Sequence, residues 1–254
     1  MMTLTKRACA PLLTALAVAF AAAAPACAQL SVPIAAAANL TKVFDQRIIP
    51  LFKKETGVTI LPTYGATGLL ERQMENGAPY QVFVSADVVT PRLLAKRKDL
   101  EAASVKVYAV GQLALWSKSL AVTAGAPIVA QPSVTVIGVA NPKTAPYGAA
   151  TIQTLTRLHL MDKVRSKIVY APNISAALQY AQSGNADVAF TAYSLVKGRG
   201  GNVSIVPEDL HAPIEQAVGV APGASPAARR FEQFLFSKPV QVIFRQAGYL
   251  SPGK

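Results

Sequence analysis

Short apolar runs alternate along this chain with segments whose apolar residues recur at helical spacing, from Leu30 onward. We predict strands at 30–38, 58–64, 80–86, 134–140, 167–171, 187–193 and 214–221. Strands that alternate with helices are typical of a parallel α/β sheet, whose ligands bind beside the carboxyl ends of the strands. The alternation therefore predicts the fold class and the edge of the sheet where a site should lie.

One apolar run is longer than a single strand needs. VYAVGQLALWS (107–117) could carry the chain from one lobe to another, and the strand–helix alternation then repeats until IEQAVGVA (214–221). The sequence after residue 28 contains no long linker and no low-complexity run. We therefore expect two α/β lobes joined by crossing strands.

The first 28 residues have the pattern of a secretory signal peptide. Lys6 and Arg7 precede an alanine- and leucine-rich stretch, and Ala26-Cys27-Ala28 resembles a cleavage site. We predict cleavage after Ala28 and export to the periplasm. Cys27 leaves open a lipoprotein anchored through its thiol.

The chemistry-bearing side chains are few, which argues against an enzyme. Both cysteines of the chain, Cys9 and Cys27, fall in the predicted signal peptide, so the mature chain offers no thiol nucleophile. His159 and His211 are far apart in sequence and have no nearby carboxylate constellation, so neither a metal site nor a catalytic triad is predicted. Tyr193 and Lys197 match a dehydrogenase spacing, but the glycine-rich nucleotide fingerprint is missing. We expect a binding protein without catalytic residues, metal or cofactor.

The formal net charge of +12 favours negatively charged partners, such as nucleic acid or small anions. Nucleic acid is not expected, because the basic residues are scattered and no nucleic-acid-binding motif is present. A basic protein can instead draw anions towards itself.

The segment NPKTAPYGAAT (141–151) is predicted to be a turn between a buried strand and a helix that starts near Tyr147 or Gly148. A helix start presents free backbone N–H groups and the positive end of the helix dipole, which suits an anion. We predict that the Tyr147 hydroxyl also donates to that anion. The alternatives are that Tyr147 only packs against the lobe while backbone N–H groups make the contacts, or that the segment is an ordinary loop.

Three other junctions share this character: Ala38-Asn39, Ala66-Thr67 and Asn173-Ile174, with Asn39 and Asn173 as predicted N-caps. Four helix starts that converge on one cleft would surround a small anion with neutral donors. A buried dianion needs such donors, because each desolvated oxygen must regain a hydrogen bond.

Two motifs resemble one known family. NGAPYQVFVSAD (76–87) and NPKTAPYGAATIQTL (141–155) resemble the periplasmic molybdate-binding proteins of bacterial ABC transporters, and the resemblance extends from about Leu30 to Gly248. It implies a two-lobed type II periplasmic binding protein, with residues 29–110 and 214–254 in lobe 1 and 111–213 in lobe 2. It also implies a monomer that closes over molybdate or tungstate and delivers it to a membrane permease.

The resemblance also implies which residues bind the oxyanion. These are Ala38, Asn39, Thr67, Tyr147 and, through its backbone N–H, Ile174. One branch of the family has a tyrosine in the strand around 188–192, where this chain has Ala192 followed by Tyr193. Whether Tyr193 contacts the ligand is left open. The ligand is also left open, because the protein could bind another tetrahedral oxyanion such as sulfate or chromate. A different class of protein, an anion-handling hydrolase, is a further alternative.

Overall fold

A computed structural model describes residues 31–253, which form two lobes with one mixed five-stranded sheet each. The predicted signal peptide and both cysteines lie outside the described residues. The two-lobed type II α/β fold that the sequence predicts is confirmed.

Lobe 1 contains the first four strands and the last one. These are β1 (Ser31–Ala37), β2 (Thr59–Gly65), β3 (Val82–Ser85), β4 (Lys106–Gly111) and β10 (Ile214–Val220), in the spatial order β2-β1-β3-β10-β4. β1 pairs in parallel with β2 and β3, so the carboxyl ends of these three strands meet at one edge. β10 runs antiparallel between β3 and β4.

Lobe 2 contains the five intervening strands. These are β5 (Leu113–Ser117), β6 (Ile137–Ala140), β7 (Ile168–Ala171), β8 (Val188–Ala192) and β9 (Asn202–Ile205), in the order β7-β6-β8-β5-β9. β6 pairs in parallel with β7 and β8, while β5 is antiparallel to β8 and β9. The sequence did not predict β9, which is a short edge strand after a glycine-rich loop.

Helices cover both faces of the sheets. The α-helices are α1 (Thr41–Val43), α2 (Ile49–Thr56), α3 (Thr67–Glu75), α4 (Val89–Lys96), α5 (Pro146–Arg157), α6 (Met161–Val164), α7 (Ile174–Ser183), α8 (Tyr193–Val196), α9 (Pro226–Phe234) and α10 (Lys238–Ala247). Within residues 31–253, five 3₁₀ turns lie at Ala38–Leu40, Ala102–Ser104, Ala126–Ala130, Arg165–Lys167 and Glu208–Leu210. No helix between residues 31 and 253 is long and apolar enough to cross a membrane.

The first helical stretch changes type before its proline. A π-helical turn at Phe44–Ile48 separates α1 from α2, whose first turn contains Pro50. Proline has no N–H to donate to the helix, so the ladder must be interrupted near it. Gly57 ends α2 with φ 74°, a left-handed conformation that suits glycine.

The chain crosses between the lobes twice. Gln112 separates β4 from β5 at the first crossing, and residues 206–213 connect β9 to β10 at the second. Gln112 is held at both ends, because its carbonyl accepts from the Tyr193 N–H at 2.9 Å and its amide donates to the Gly248 carbonyl at 2.8 Å. The two crossings lie side by side, since Gly111 pairs with Ile214.

The core on one face of the lobe 1 sheet is aromatic. The Phe52 ring meets the Phe231 ring edge-on at 5.1 Å, and Phe44 packs against Phe231 at 6.0 Å. On the other face, Leu70 and Met74 of α3 pack in a separate apolar cluster. Packing on both faces holds the first turn of α3 at the edge of the sheet where the parallel strands have their carboxyl ends.

Candidate functional site

A small pocket lies between the lobes at the carboxyl ends of the strands. It is lined by Ala37, Ala38, Asn39, Gly65, Ala66, Thr67, Ala86, Ala145, Pro146, Tyr147 and Ile174. None of these side chains carries a charge. All five residues that the sequence analysis predicted at the site are among them.

Each of these five residues lies at the start of a helical segment. Ala38 and Asn39 open the 3₁₀ turn after β1, Thr67 is the first residue of α3, Tyr147 is the second of α5 and Ile174 is the first of α7. The first N–H groups of a helix have no partner within it. The structure thus brings four sets of such donors together around one space.

Small residues at the caps leave most of these donors uncovered. The N-cap residues Ala37, Ala66 and Ala145 make no side-chain cap bond, and Pro146 starts α5 with a favourable backbone angle. Asn173 does cap α7, because its Oδ1 accepts from the Ala176 N–H at 2.9 Å. That predicted cap is confirmed, and it leaves the N–H of Ile174 uncovered.

The hydroxyl of Thr67 already accepts a hydrogen bond within the protein. It accepts from the N–H of Ala86 at 3.1 Å, at the end of β3, and its side chain is buried. A hydroxyl has one proton to donate and can accept as well. The Thr67 proton therefore remains available to an anion in the pocket.

Asn39 is not the N-cap that the sequence predicts. Ala37 holds that position, and the Asn39 side chain points into a buried polar cluster. Its amide donates to Gln216 Oε1 at 2.7 Å and to the Tyr249 hydroxyl at 2.9 Å. Its carbonyl accepts from Tyr249 at 3.0 Å and from the Ser194 hydroxyl at 3.1 Å. The helix starts one residue after β1 ends, so Asn39 already lies inside the first turn.

Tyr147 has its ring buried and its hydroxyl beside the crossing strands. A β-carbon on Gly111 would overlap the Tyr147 hydroxyl oxygen and lie 2.9 Å from Gln216 Nε2, and neither Gly111 nor Gln216 lines the pocket. Burial raises the pKa of Tyr147 well above its ordinary value. This placement favours the alternative in which Tyr147 meets the ligand through its backbone N–H.

Two other residues weighed in the sequence, Tyr193 and His211, lie away from the pocket. Tyr193 begins α8, and its ring packs against Gly248 with the Lys197 ammonium 5.8 Å from the ring centre. His211 is buried, with its Nδ1 2.8 Å from the Ala212 carbonyl. Within residues 31–253, no three His, Cys, Asp or Glu side chains group as metal ligands do.

The lobes touch on both sides of the pocket. The N–H of Gly68 in lobe 1 donates to the Thr144 carbonyl in lobe 2 at 2.9 Å. The Ser175 hydroxyl in lobe 2 donates to the Ala38 carbonyl in lobe 1 at 2.8 Å. Both contacts involve segments that also supply donors, so binding and lobe contact share residues.

Positive charge lies outside the pocket. Lys42 donates to the Lys197 carbonyl at 2.6 Å, and Arg199 lies close enough to act on its charge. Partial burial, followed by repulsion from Arg199, lowers the pKa of Lys42. These cations can attract an anion towards the cleft without touching it inside.

Comparison with known proteins agrees with this architecture. Residues 32–250 match the family described as bacterial extracellular solute-binding protein. The chain belongs to that family.

Two relatives of this solute-binding protein have a named ligand. The molybdate-binding protein ModA of Azotobacter vinelandii is 38% identical over 246 residues, covering 93% of this chain and 97% of the relative. The molybdate-binding protein ModA of Rhodobacter capsulatus is 38% identical over 241 residues, covering 94% and 95%. Both alignments span nearly the whole of each chain.

A solved structure resembles this solute-binding protein closely. The periplasmic molybdate-binding protein of Azotobacter vinelandii superimposes with a TM-score of 0.83 at 30% identity, covering 87% of this chain and all of the other. The predicted resemblance to molybdate-binding proteins is thereby confirmed.

Proposed function

We propose that this chain is the periplasmic binding protein of a molybdate ABC transporter. The observation that carries the proposal is the convergence of four helix starts on one uncharged pocket between the lobes. Relatives at 38% identity over nearly their full length are molybdate-binding proteins by name, which supports the same ligand here.

The ligand is held by neutral donors from both lobes. We assign the backbone N–H groups of Ala38, Asn39, Thr67, Tyr147 and Ile174 to the oxyanion, together with the Thr67 hydroxyl. Each helix start adds the positive end of its dipole, which favours an anion within the first turn. Hydrogen bonds to an ionised acceptor are shorter and stronger than neutral ones, so several of them replace the lost hydration of a dianion.

Closure follows from the division of donors. Ala38, Asn39 and Thr67 belong to lobe 1, while Tyr147 and Ile174 belong to lobe 2. A ligand that contacts both sets favours the form in which the lobes meet, since it binds that form more tightly. The proposed lobe boundaries, near residues 110 and 213, place the hinge at the two crossings.

Tungstate is proposed as a second ligand, because it is a tetrahedral dianion nearly identical to molybdate. Sulfate is smaller at the same charge, so a rigid ring of donors should hold it less well. A binder of sulfate or chromate is the alternative within the same class. A hydrolase of phosphate or sulfate esters is the alternative in another class, and chromogenic esters should test it by releasing no product.

The remaining proposals concern location and partners. We propose export with cleavage after Ala28, function as a monomer and delivery of the ligand to a membrane permease. Mass spectrometry of the exported chain should show Gln29 as its first residue. A diacylated Cys27 at the terminus would establish the lipoprotein alternative instead.

A thermal-shift panel tests the ligand directly. Molybdate, tungstate, sulfate, phosphate and chromate are added separately to the purified protein. A ligand at about 100 times its Kd adds about 2.7 kcal/mol to the free energy of unfolding. We expect stabilisation by molybdate and tungstate at far lower concentrations than by the other three. Equal or stronger stabilisation by sulfate would overturn the assignment.

A further inference from the structure

We propose that Tyr147 and Asn39 are positioning residues that connect the ligand pocket to the hinge. When the lobes meet, the Tyr147 hydroxyl occupies a notch at Gly111 and donates to Asn39 Oδ1. As a statement about ligand affinity, the inference rests on the proposed function. As a statement about lobe closure it can be tested without ligand.

The Asn39 side chain is fixed to the second crossing. Its amide donates to Gln216 Oε1 at 2.7 Å, and Gln216 lies on β10, directly after the crossing at 206–213. Gln216 is itself held, because its amide donates to the Ile214 carbonyl at 3.0 Å. Tyr249 donates to the Asn39 carbonyl at 3.0 Å, so both ends of Asn39 are restrained. The pocket turn at Ala38–Leu40 is therefore tied to a hinge strand.

The Tyr147 side chain reaches the first crossing. Gly111 is the last residue of β4, one residue before Gln112 carries the chain into lobe 2. A β-carbon on residue 111 would overlap the Tyr147 hydroxyl oxygen and lie 2.9 Å from its ring carbon Cζ. The backbone of Gly111 has no positive φ, so space is what requires glycine here. The notch at Gly111 thus fits a tyrosine that comes from the other lobe.

Two buried polar atoms lack partners at this point. Asn39 Oδ1 and the Tyr147 hydroxyl are both buried, and neither makes a hydrogen bond to the described part of the chain. One is an acceptor and the other can donate. Gln216 brings the two side chains together, because its Nε2 borders the same notch at Gly111 as the Tyr147 hydroxyl and its Oε1 accepts from the Asn39 amide. A bond between them satisfies both atoms and joins lobe 2 to lobe 1 beneath the pocket.

Interlobe distances test the proposal. Spin labels are attached at Arg72→Cys in α3 and Lys163→Cys in α6, two exposed positions in different lobes. Pulsed electron paramagnetic resonance then measures the distance distribution with and without molybdate. Tyr147→Phe should lower the fraction of short distances without ligand. It should also raise the Kd of molybdate and the Kd of tungstate, both by the same factor. We expect this factor to be about two- to tenfold, the value for one neutral hydrogen bond. The exposed Tyr170→Phe is the control and should change neither quantity.

Gly111→Ala tests the notch. It should widen the distance distribution and raise the Kd more than Tyr147→Phe does, because the new methyl group and the hydroxyl compete for one space. Adding Tyr147→Phe to Gly111→Ala should recover part of both losses, a non-additive result that identifies direct contact. Gly200→Ala, at a glycine with open space around it, is the matched control.

Each outcome decides one question. If the parent protein does not bind molybdate, the proposed function fails. The interlobe distances measured without ligand then still test whether the notch at Gly111 controls lobe closure. If Gly111→Ala leaves the distances unchanged, or if the two substitutions are additive, the inference is overturned. A Tyr147→Phe loss of about 10- to 150-fold with unchanged unliganded distances would instead indicate a hydroxyl that touches the ligand, and would also overturn it.

Discussion

The backbone N–H of Gly68 donates to the carbonyl of Thr144 across the two lobes, at 2.9 Å. Gly68 is the second residue of α3, and a β-carbon there would lie 3.3 Å from both Cα and the carbonyl oxygen of Thr144. That is closer than neighbouring atoms normally allow. The absence of a side chain at residue 68 therefore lets the lobes meet beside the pocket.

Gly68→Ala should weaken ligand binding without harming the unliganded protein. Overpacking costs about 1–3 kcal/mol, which at 1.4 kcal/mol per decade is a loss of affinity of about 5- to 150-fold. Alanine is the better helix former by about 0.5–1 kcal/mol, so the unliganded melting temperature should hold or rise. Calorimetric titration with molybdate and a melting curve measure the two effects. Unchanged affinity would show that Thr144 moves aside easily.

Thr67 should be needed for its hydroxyl. Thr67→Val removes the predicted donor to the oxyanion, and a hydrogen bond to a charged group is worth about 1.5–3 kcal/mol, or about 10- to 150-fold in Kd. It also removes the acceptor of the Ala86 N–H, so the melting temperature should fall. Thr67→Ser keeps both roles and should bind nearly as the parent does. Equal affinity of the valine and serine variants would remove the hydroxyl from the site.

The helices α7 and α9, each with a side-chain cap, offer a matched pair. Asn173 accepts from the Ala176 N–H at 2.9 Å at the start of α7, and Ser225 accepts from the Ala228 N–H at 3.2 Å at the start of α9. Replacing either by alanine should cost about 1 kcal/mol of stability. Only Asn173→Ala should also raise the Kd for molybdate, because α7 begins at Ile174 in the pocket. Equal binding by both variants would argue against a role for that helix start.

Asp187 should contribute stability that is lost in acid. Desolvation tends to raise its pKa, but bonds from the N–H groups of Val136 and Thr135 and from the Thr135 hydroxyl, with the charge of Lys167, lower it overall. A carboxyl with a lowered folded pKa stabilises the protein above its ordinary pKa, and the effect disappears as the pH falls through the folded value.

The test is Asp187→Asn, followed by urea unfolding from pH 7 to pH 3. We expect a loss of about 1 kcal/mol at pH 7, allowing for solvent screening, and a weaker dependence of stability on acid. Asp162→Asn is the control, since Asp162 is exposed and its nearest cation, Arg165, is 3.9 Å away. If both variants show the parent's pH dependence, the hydrogen bonds to Asp187 do not set it.

Local patterns predicted which residues reach the pocket. A strand that ends in a small residue, followed at once by a helical pattern, places the next backbone N–H groups at the sheet edge. For that reason Ala38, Thr67 and Ile174 could be named from the sequence. Their partners across the cleft, such as Thr144 for Gly68, belong to other segments and have no local signal.

Side-chain directions could not be predicted in the same way. The Tyr147 hydroxyl lies beside Gly111 because a glycine in a distant strand leaves space there, and no pattern around residue 147 records it. Asn39 is a good N-cap type, yet the helical turn already begins at Ala38, so Asn39 lies inside the turn and its amide donates to Gln216 and Tyr249. β9 escaped prediction because its four residues are too few to give a clear pattern, and pairing with β5 makes them a strand.

The uncharged lining of the pocket has a consequence for the net charge of the whole protein. Because no Lys, Arg or His lines it, no lining base can take up a proton when a dianion binds, and the two negative charges are added in full to the protein's total. The isoelectric point must therefore drop when the pocket fills, and loaded and empty molecules should form separate bands in a native focusing gel. A partner surface that binds this protein could therefore distinguish the liganded from the unliganded form by net charge alone.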